Sequence, residues 1–126
     1  MQIEEKIKEF FKRYDFVELV YLFGSRAKGK STEKSDVDIA VLLPHYFDKI
    51  KCFKLQIEFI GKLCLILKRN DVDVVILNIA PPLLKYIVAT TGKVIYEKKK
   101  GLNHDFFCKA LNEYFDYKIT MKYYGK

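Results

Sequence analysis

The stretch "FGSRAKGKSTEKSDVDIAVLL", residues 23–43, decides how this chain is read. Its second half is β-like. In an extended strand Val37, Ile39, Val41 and Leu43 share one face, and Asp36, Asp38, Ala40 and Leu42 share the other. Strands disfavour Asp, and folding alone gains nothing from two carboxylates side by side. The segment just before is a Gly/Ser/Lys loop. Gly24 lets the backbone approach a ligand closely. Ser25 offers a hydroxyl and, if a helical turn follows, stands beside free N–H groups that bind anions. Arg26, Lys28, Lys30 and Lys34 give the loop a positive field. Gly24-Ser25 is thus followed by residues 26–35 and then Asp36-Val37-Asp38.

A second run, "DVDVVIL" at 71–77, has the same form. Asp71, Asp73, Val75 and Leu77 share a face opposite Val72, Val74 and Ile76. If the two strands are neighbours, their carboxylates converge near one edge and raise one another's pKa. A divalent cation removes that conflict. Hard oxygen ligands with open positions suit Mg²⁺, which keeps waters and takes substrate phosphates. Two such ions about 4 Å apart clamp the attacking and leaving oxygens of a phosphoryl-type displacement. The residues therefore predict a phosphate cradle joined to a metal cradle. Asp36 and Asp38 are candidate ligands. For the third, Asp73 lies inside the strand, and Asp71 after Asn70 is the alternative.

Around this centre the chain reads α-β-β-α-β-α-β-α. Ile3, Ile7, Phe10, Phe11 and Tyr14 predict an amphipathic helix over 2–14. "FVELVYLF", 16–23, predicts a strand, and "DVDIAVLL", 36–43, a second that Pro44 stops. Residues 47–69 are apolar at so many positions, Ile50, Phe53 and Ile57 among them, that they suit a long, well-buried helix. Residues 71–77 form the third strand. Pro81 and Pro82 fit the first turn of a helix, with Gly92 a suitable C′ residue. "KVIYE" is a fourth strand and 104–122 a final helix. The expected fold class is α/β, or α+β in the wider sense, with residues 1–126 as one domain.

Composition narrows the function. The chain has 126 residues, 31% charged, and a net charge of +7, which suggests an anionic partner: nucleic acid, nucleotide phosphates or an acidic protein. No apolar run is long enough to span a membrane. The start, "MQIEEKIKEFF", is unlike a signal peptide. Cys52, Cys64 and Cys108 lack metal-ligand spacing and read as reduced, mostly buried thiols of a cytoplasmic protein. His45 and His104 are isolated. No helix-turn-helix, zinc-finger or RNP pattern supports direct nucleic-acid recognition.

Gly24-Ser25, ten residues, then Asp36-Val37-Asp38 resembles the signature of the polymerase-β-type nucleotidyltransferase superfamily, and in particular its minimal nucleotidyltransferases (MNT). "VDVVILNIAPPLLKYIVATTGKVIYE" resembles the family's third-carboxylate strand and the elements after it. The likeness covers residues 16–97. It implies a small mixed sheet flanked by helices, two Mg²⁺ ions, and transfer of a nucleoside monophosphate, AMP from ATP, with release of pyrophosphate. It assigns metal binding and catalysis to Asp36, Asp38 and Asp73, and nucleotide binding to Gly24 and Ser25, with Arg26 and Lys30 nearby. One departure is Ile76, where relatives often carry a further acidic residue. MNT proteins pair with HEPN-domain proteins as antitoxin and toxin, and can transfer AMP onto a tyrosine of the toxin. The final helix suits such a partner: Phe106, Phe107, Tyr114, Phe115, Tyr117, Tyr123 and Tyr124 crowd the last 21 residues. Two other readings remain at this stage. One is an antitoxin that acts by binding alone. The other is a small-molecule nucleotidyltransferase, which would need a further substrate domain.

Overall fold

A computed structural model describes residues 2–24 and 36–125. Four strands, β1 (Leu19–Phe23), β2 (Val37–Leu42), β3 (Val72–Ile76) and β4 (Lys93–Glu97), form one sheet in the order β3-β2-β1-β4. β1 runs antiparallel to both β2 and β4, and β2 runs parallel to β3. Helices α1 (Gln2–Lys12), α2 (Lys49–Leu67), α3 (Pro82–Thr91) and α4 (Leu102–Tyr123) complete the expected order.

The alternation of the strands separates two cores. Val20, Leu22, Val37, Ile39, Val41, Val72, Val74 and Ile76 face α1 and α2, where Ile7, Phe10, Phe11, Cys52, Phe59 and Leu63 are buried with them. Leu19, Tyr21 and Ala40 face α3 and α4, with Val88, Phe106 and Ala110. The edge-to-face rings of Phe10, Phe11 and Phe59, with centroids 4.9–6.0 Å apart, seal the first layer.

Element ends follow local hydrogen bonding. α1 stops at Lys12, two residues short of the periodicity, because the N–H groups of Arg13 and Tyr14 turn back to the carbonyls of Phe10 and Phe11. β1 starts at Leu19 rather than 16 because the Val17 N–H closes a turn onto Tyr14. Leu77 leaves the third strand and opens a 3-10 turn, Leu77–Ile79. There the Asn78 side chain accepts from the Leu43 N–H at 2.9 Å and donates to its carbonyl at 2.7 Å, tying the far ends of β2 and β3 together. Pro82 occupies the first turn of α3, as expected. α4 begins at Leu102, two residues early, because Glu97 Oε2 accepts from the N–H groups of Gly101 and Asn103 and caps it.

Three expectations change. α2 is not buried on all sides: Cys52, Phe59 and Leu63 are buried, but Ile50, Phe53, Ile57 and Leu65 are exposed, because the sheet covers one flank of the helix only. Of the cysteines only Cys52 is buried; Cys64 is partly covered and Cys108 is exposed. Gly92 ends α3 with φ −74°, not in the left-handed form of a C′ glycine. It must be small for another reason. A Cβ there would lie 2.5 Å from the Val88 carbonyl oxygen and 3.2 Å from the Tyr21 ring.

Gly92→Ala is therefore expected to destabilise the fold by about 1–3 kcal/mol through overpacking. Gly61→Ala, in α2 with nothing within 4 Å of the new methyl, is expected to stabilise by roughly 0.5–1 kcal/mol. Urea unfolding of both variants checks the opposite signs.

Candidate active site

The site forms where β1 ends and β2 and β3 begin. Parallel pairing aligns Val37 with Val72 and Asp38 with Asp73. Strand parity sends Val37 and Val72 into the α1/α2 core, so Asp38 and Asp73 share the opposite face, the one on which α3 and α4 pack. Phe23 stands opposite Asp38 on the other side, in β1. Asp38 is partly buried, and Asp73 and Asp36 are exposed. Asp36 lies just before β2.

Gly24 follows β1 with φ +75°, the left-handed region that glycine adopts without strain. A Cβ at this position would meet Asp38 Oδ2 at 2.6 Å. The expected glycine thus borders the expected carboxylate directly. Ser25, Arg26, Lys28, Lys30 and Lys34 lie outside the described residues.

The Asp38 carboxyl is pushed above the ordinary carboxylate range. Burial is the main cause, and the charges of Asp73 and Asp36 add to it. The charges of Asp73 and Asp36 thus bear on Asp38. Among the described residues, though, no three Asp, Glu, His or Cys side chains close into a metal-binding group. A divalent cation at this edge would take hard oxygen donors. Asp38 and Asp73 offer hard oxygens from two strands, and the remaining positions suit water and phosphate oxygens.

Asp71 is placed differently. Arg69 Nε donates to Asp71 Oδ1 at 2.5 Å and Arg69 Nη2 to Oδ2 at 2.7 Å, a two-pronged ion pair. Lys68, at φ 56°, turns the chain after α2 and sets Arg69 beside this carboxylate. Asp71 is engaged there, while Asp73 takes the register position beside Asp38. Ile76 is buried among the α1/α2 residues, on the face away from Asp73. The Arg69–Asp71 pairing escaped the sequence reading; its signal was an arginine two residues before the aspartate. His104 Nε2 lies 3.7 Å from Cys108 Sγ on α4.

A titration tests the electrostatics. In the metal-free protein Asp38 should titrate above the ordinary carboxylate range, and Asp73→Asn should lower its pKa. An aspartate whose folded pKa is raised destabilises the fold once ionised. Stability should therefore rise as pH falls from that raised pKa toward the ordinary value, and rise less in the variant. Carboxyl carbon NMR and melting curves across this range measure both. An Asp38 pKa indifferent to Asp73 would show that the two carboxylates are not coupled.

Comparisons with known proteins bear on the fold and the family. Residues 5–101 match the family model described as polymerase beta, nucleotidyltransferase. The chain is 36% identical over 80 residues to the protein adenylyltransferase MntA of Shewanella oneidensis; the match spans 64% of this chain and 54% of that protein. The crystal structure of a toxin-antitoxin with AMP-PNP superposes with a TM-score of 0.78 at 31% identity, covering 94% of this chain and 92% of that one. A structure of tri-AMPylated Shewanella oneidensis HEPN toxin in complex with MNT antitoxin gives 0.70 at 27% identity, with 95% and 92% covered. The match over residues 5–101, most of the chain, places it in the polymerase beta nucleotidyltransferase family.

Proposed function

We propose that this chain is a Mg²⁺-dependent nucleotidyltransferase that moves AMP from ATP to a hydroxyl, most readily a tyrosine of a HEPN-domain toxin for which it is the antitoxin. The observation that carries the reading is the register of Asp38 beside Asp73, with Gly24 against the Asp38 carboxylate. The adenylyltransferase relative, the AMP-PNP complex and the AMPylated toxin complex support the nucleotide, the acceptor and the partner.

In the proposed reaction the acceptor oxygen attacks the α-phosphorus of ATP. An O–P bond forms, the bond to the β-phosphate oxygen breaks, and pyrophosphate leaves. Asp36, Asp38 and Asp73 would hold two Mg²⁺ ions, which would neutralise charge on the phosphates. Ser25 and nearby N–H groups, with Arg26 and Lys30, would hold the triphosphate. Gly24 keeps side-chain bulk away from the Asp38 carboxylate. Asp73, exposed on the edge strand, would orient the acceptor hydroxyl and take its proton.

α4 is the proposed partner-binding element. Its first turns bury Phe106 and Ala110, and Tyr114 stacks on Tyr86 of α3 at 4.2 Å. From Phe115 to Tyr124 every residue is exposed, Tyr123 and Tyr124 most of all among the aromatics. The family match stops at residue 101, before this helix begins. No described helix is long and apolar enough to cross a membrane, which accords with action in the cytoplasm beside such a toxin. The same exposed aromatics favour a second reading, an antitoxin that neutralises by contact alone.

Two sets of variants separate these readings. Labelled ATP, Mg²⁺ and a HEPN-domain partner are incubated with the protein. Asp36→Asn/Asp38→Asn should keep the fold and partner association but abolish labelling. Asp73→Asn should lower transfer at least about 100-fold, and Asp71→Asn far less. The reverse order would make Asp71 the third ligand. Tyr117→Ala/Tyr123→Ala should cost about 2 kcal/mol or more of partner binding and leave nucleotide binding intact. Full neutralisation by the Asp36/Asp38 double variant would establish the contact-only reading.

A further inference from the structure

We infer that the outward stripe of α2 is a docking seam for a partner's amphipathic helix whose apolar face is flanked by acidic residues. Helices on the outside of a sheet normally turn charged and polar side chains to water. α2 does not. Opposite its buried side, Ile50, Phe53, Ile57 and Leu65 are 67%, 47%, 72% and 79% exposed. Their spacing, with Gly61 between Ile57 and Leu65, is three or four residues throughout, so they form one continuous row. Gly61 has nothing within 4 Å of where a Cβ would stand, leaving room for a second helix to come close. Over its 19 residues the helix runs about 28 Å, at 1.5 Å per residue.

Charge selects the occupant. At 3.6 residues per turn Lys54 falls within the row, Lys49 and Lys51 border it on either side, and Lys62 lies just beyond Lys51. The two acids of this segment are already engaged. Asp48 Oδ1 accepts from the Lys51 N–H at 2.8 Å and caps the helix. Glu58 Oε2 accepts from the Tyr14 hydroxyl at 2.8 Å and from Lys62 Nζ at 3.3 Å. A second copy of this chain would set lysine against lysine along the seam, which works against self-pairing. A narrow row at heptad-like spacing suits a single helix better than the broad apolar face that a bilayer takes. A helix with glutamates beside its apolar row meets both demands. α2 lies on the sheet face away from Asp38 and Asp73. The seam therefore can hold a partner without covering the carboxylates, and it stands independently of the proposed transfer reaction.

The test uses synthetic helices of about three heptads with Leu at a and d and either Glu or Lys at e and g. Binding is read by fluorescence anisotropy near physiological salt. The Glu peptide should bind at least about tenfold tighter than the Lys peptide. Ile50→Gln/Ile57→Gln should remove that binding, and Lys49→Glu/Lys54→Glu should reverse the preference. All these positions are exposed, and circular dichroism verifies the fold. Equal affinity for both peptides would overturn the inference. So would Glu-peptide binding that survives the isoleucine changes, which would assign it to other lysines. Sedimentation of the protein alone, and with anionic vesicles of about 30% phosphatidylglycerol in phosphatidylcholine, supplies the remaining outcomes. Dimerisation or vesicle binding that Ile57→Gln abolishes would give the seam to a second copy or to a lipid surface and refute the helix.

Discussion

The parallel pairing of β2 with β3 is the constraint on which the rest depends. Parallel neighbours need a long crossover, and α2 supplies it. The pairing sets Asp38 beside Asp73 only because Val37, Ile39 and Val41 lie level with Val72, Val74 and Ile76. Those six residues are buried against α1 and α2. A slip of one residue would send the valines to the other face and the aspartates into the core. Hydrophobic burial on one side of the sheet therefore fixes the electrostatics on the other.

That arrangement opposes stability locally. Asp38 is partly buried near two like charges, and its carboxyl is pushed up as a result. Among the described residues no cation offsets this. Asp71, two residues before Asp73, has such a cation: Arg69 grips both its oxygens. Gly24 comes so close to Asp38 that any side chain would collide with the carboxylate. The contrast between Asp71 and Asp73 separates a carboxylate held by an arginine from one left exposed in register with Asp38.

The helices divide the remaining work by layer. α1 and α2 close one face, and the ring cluster of Phe10, Phe11 and Phe59 seals them. α3 and the first half of α4 close the other. Each layer also leaves apolar surface in water, on the distal half of α4 and on the outer side of α2. Exposed apolar rows of this kind mark contact surfaces. They lie on opposite faces of the sheet, so the molecule offers one near the carboxylates' face and one behind it.

The sequence by itself determined the element order, the two-faced strands, the separation of Gly24-Ser25 from Asp36-Val37-Asp38, and the family these residues resemble. All of these are local: parity, turn chemistry and spacing are carried by adjacent residues. The strand order, the pairing of Arg69 with Asp71, the reason for Gly92 and the exposed side of α2 came only with the tertiary structure. In sequence Asp71 and Asp73 share one strand face, and nothing there says that Arg69 folds back on the first. Gly92 reads as a helix terminator, and only the folded structure shows that a Cβ there would meet the Val88 carbonyl and the Tyr21 ring. Ile50, Phe53 and Ile57 look like core because apolar periodicity records what a side chain is, not what covers it. Coverage is set by elements distant in the chain, and here a four-stranded sheet reaches only one side of α2.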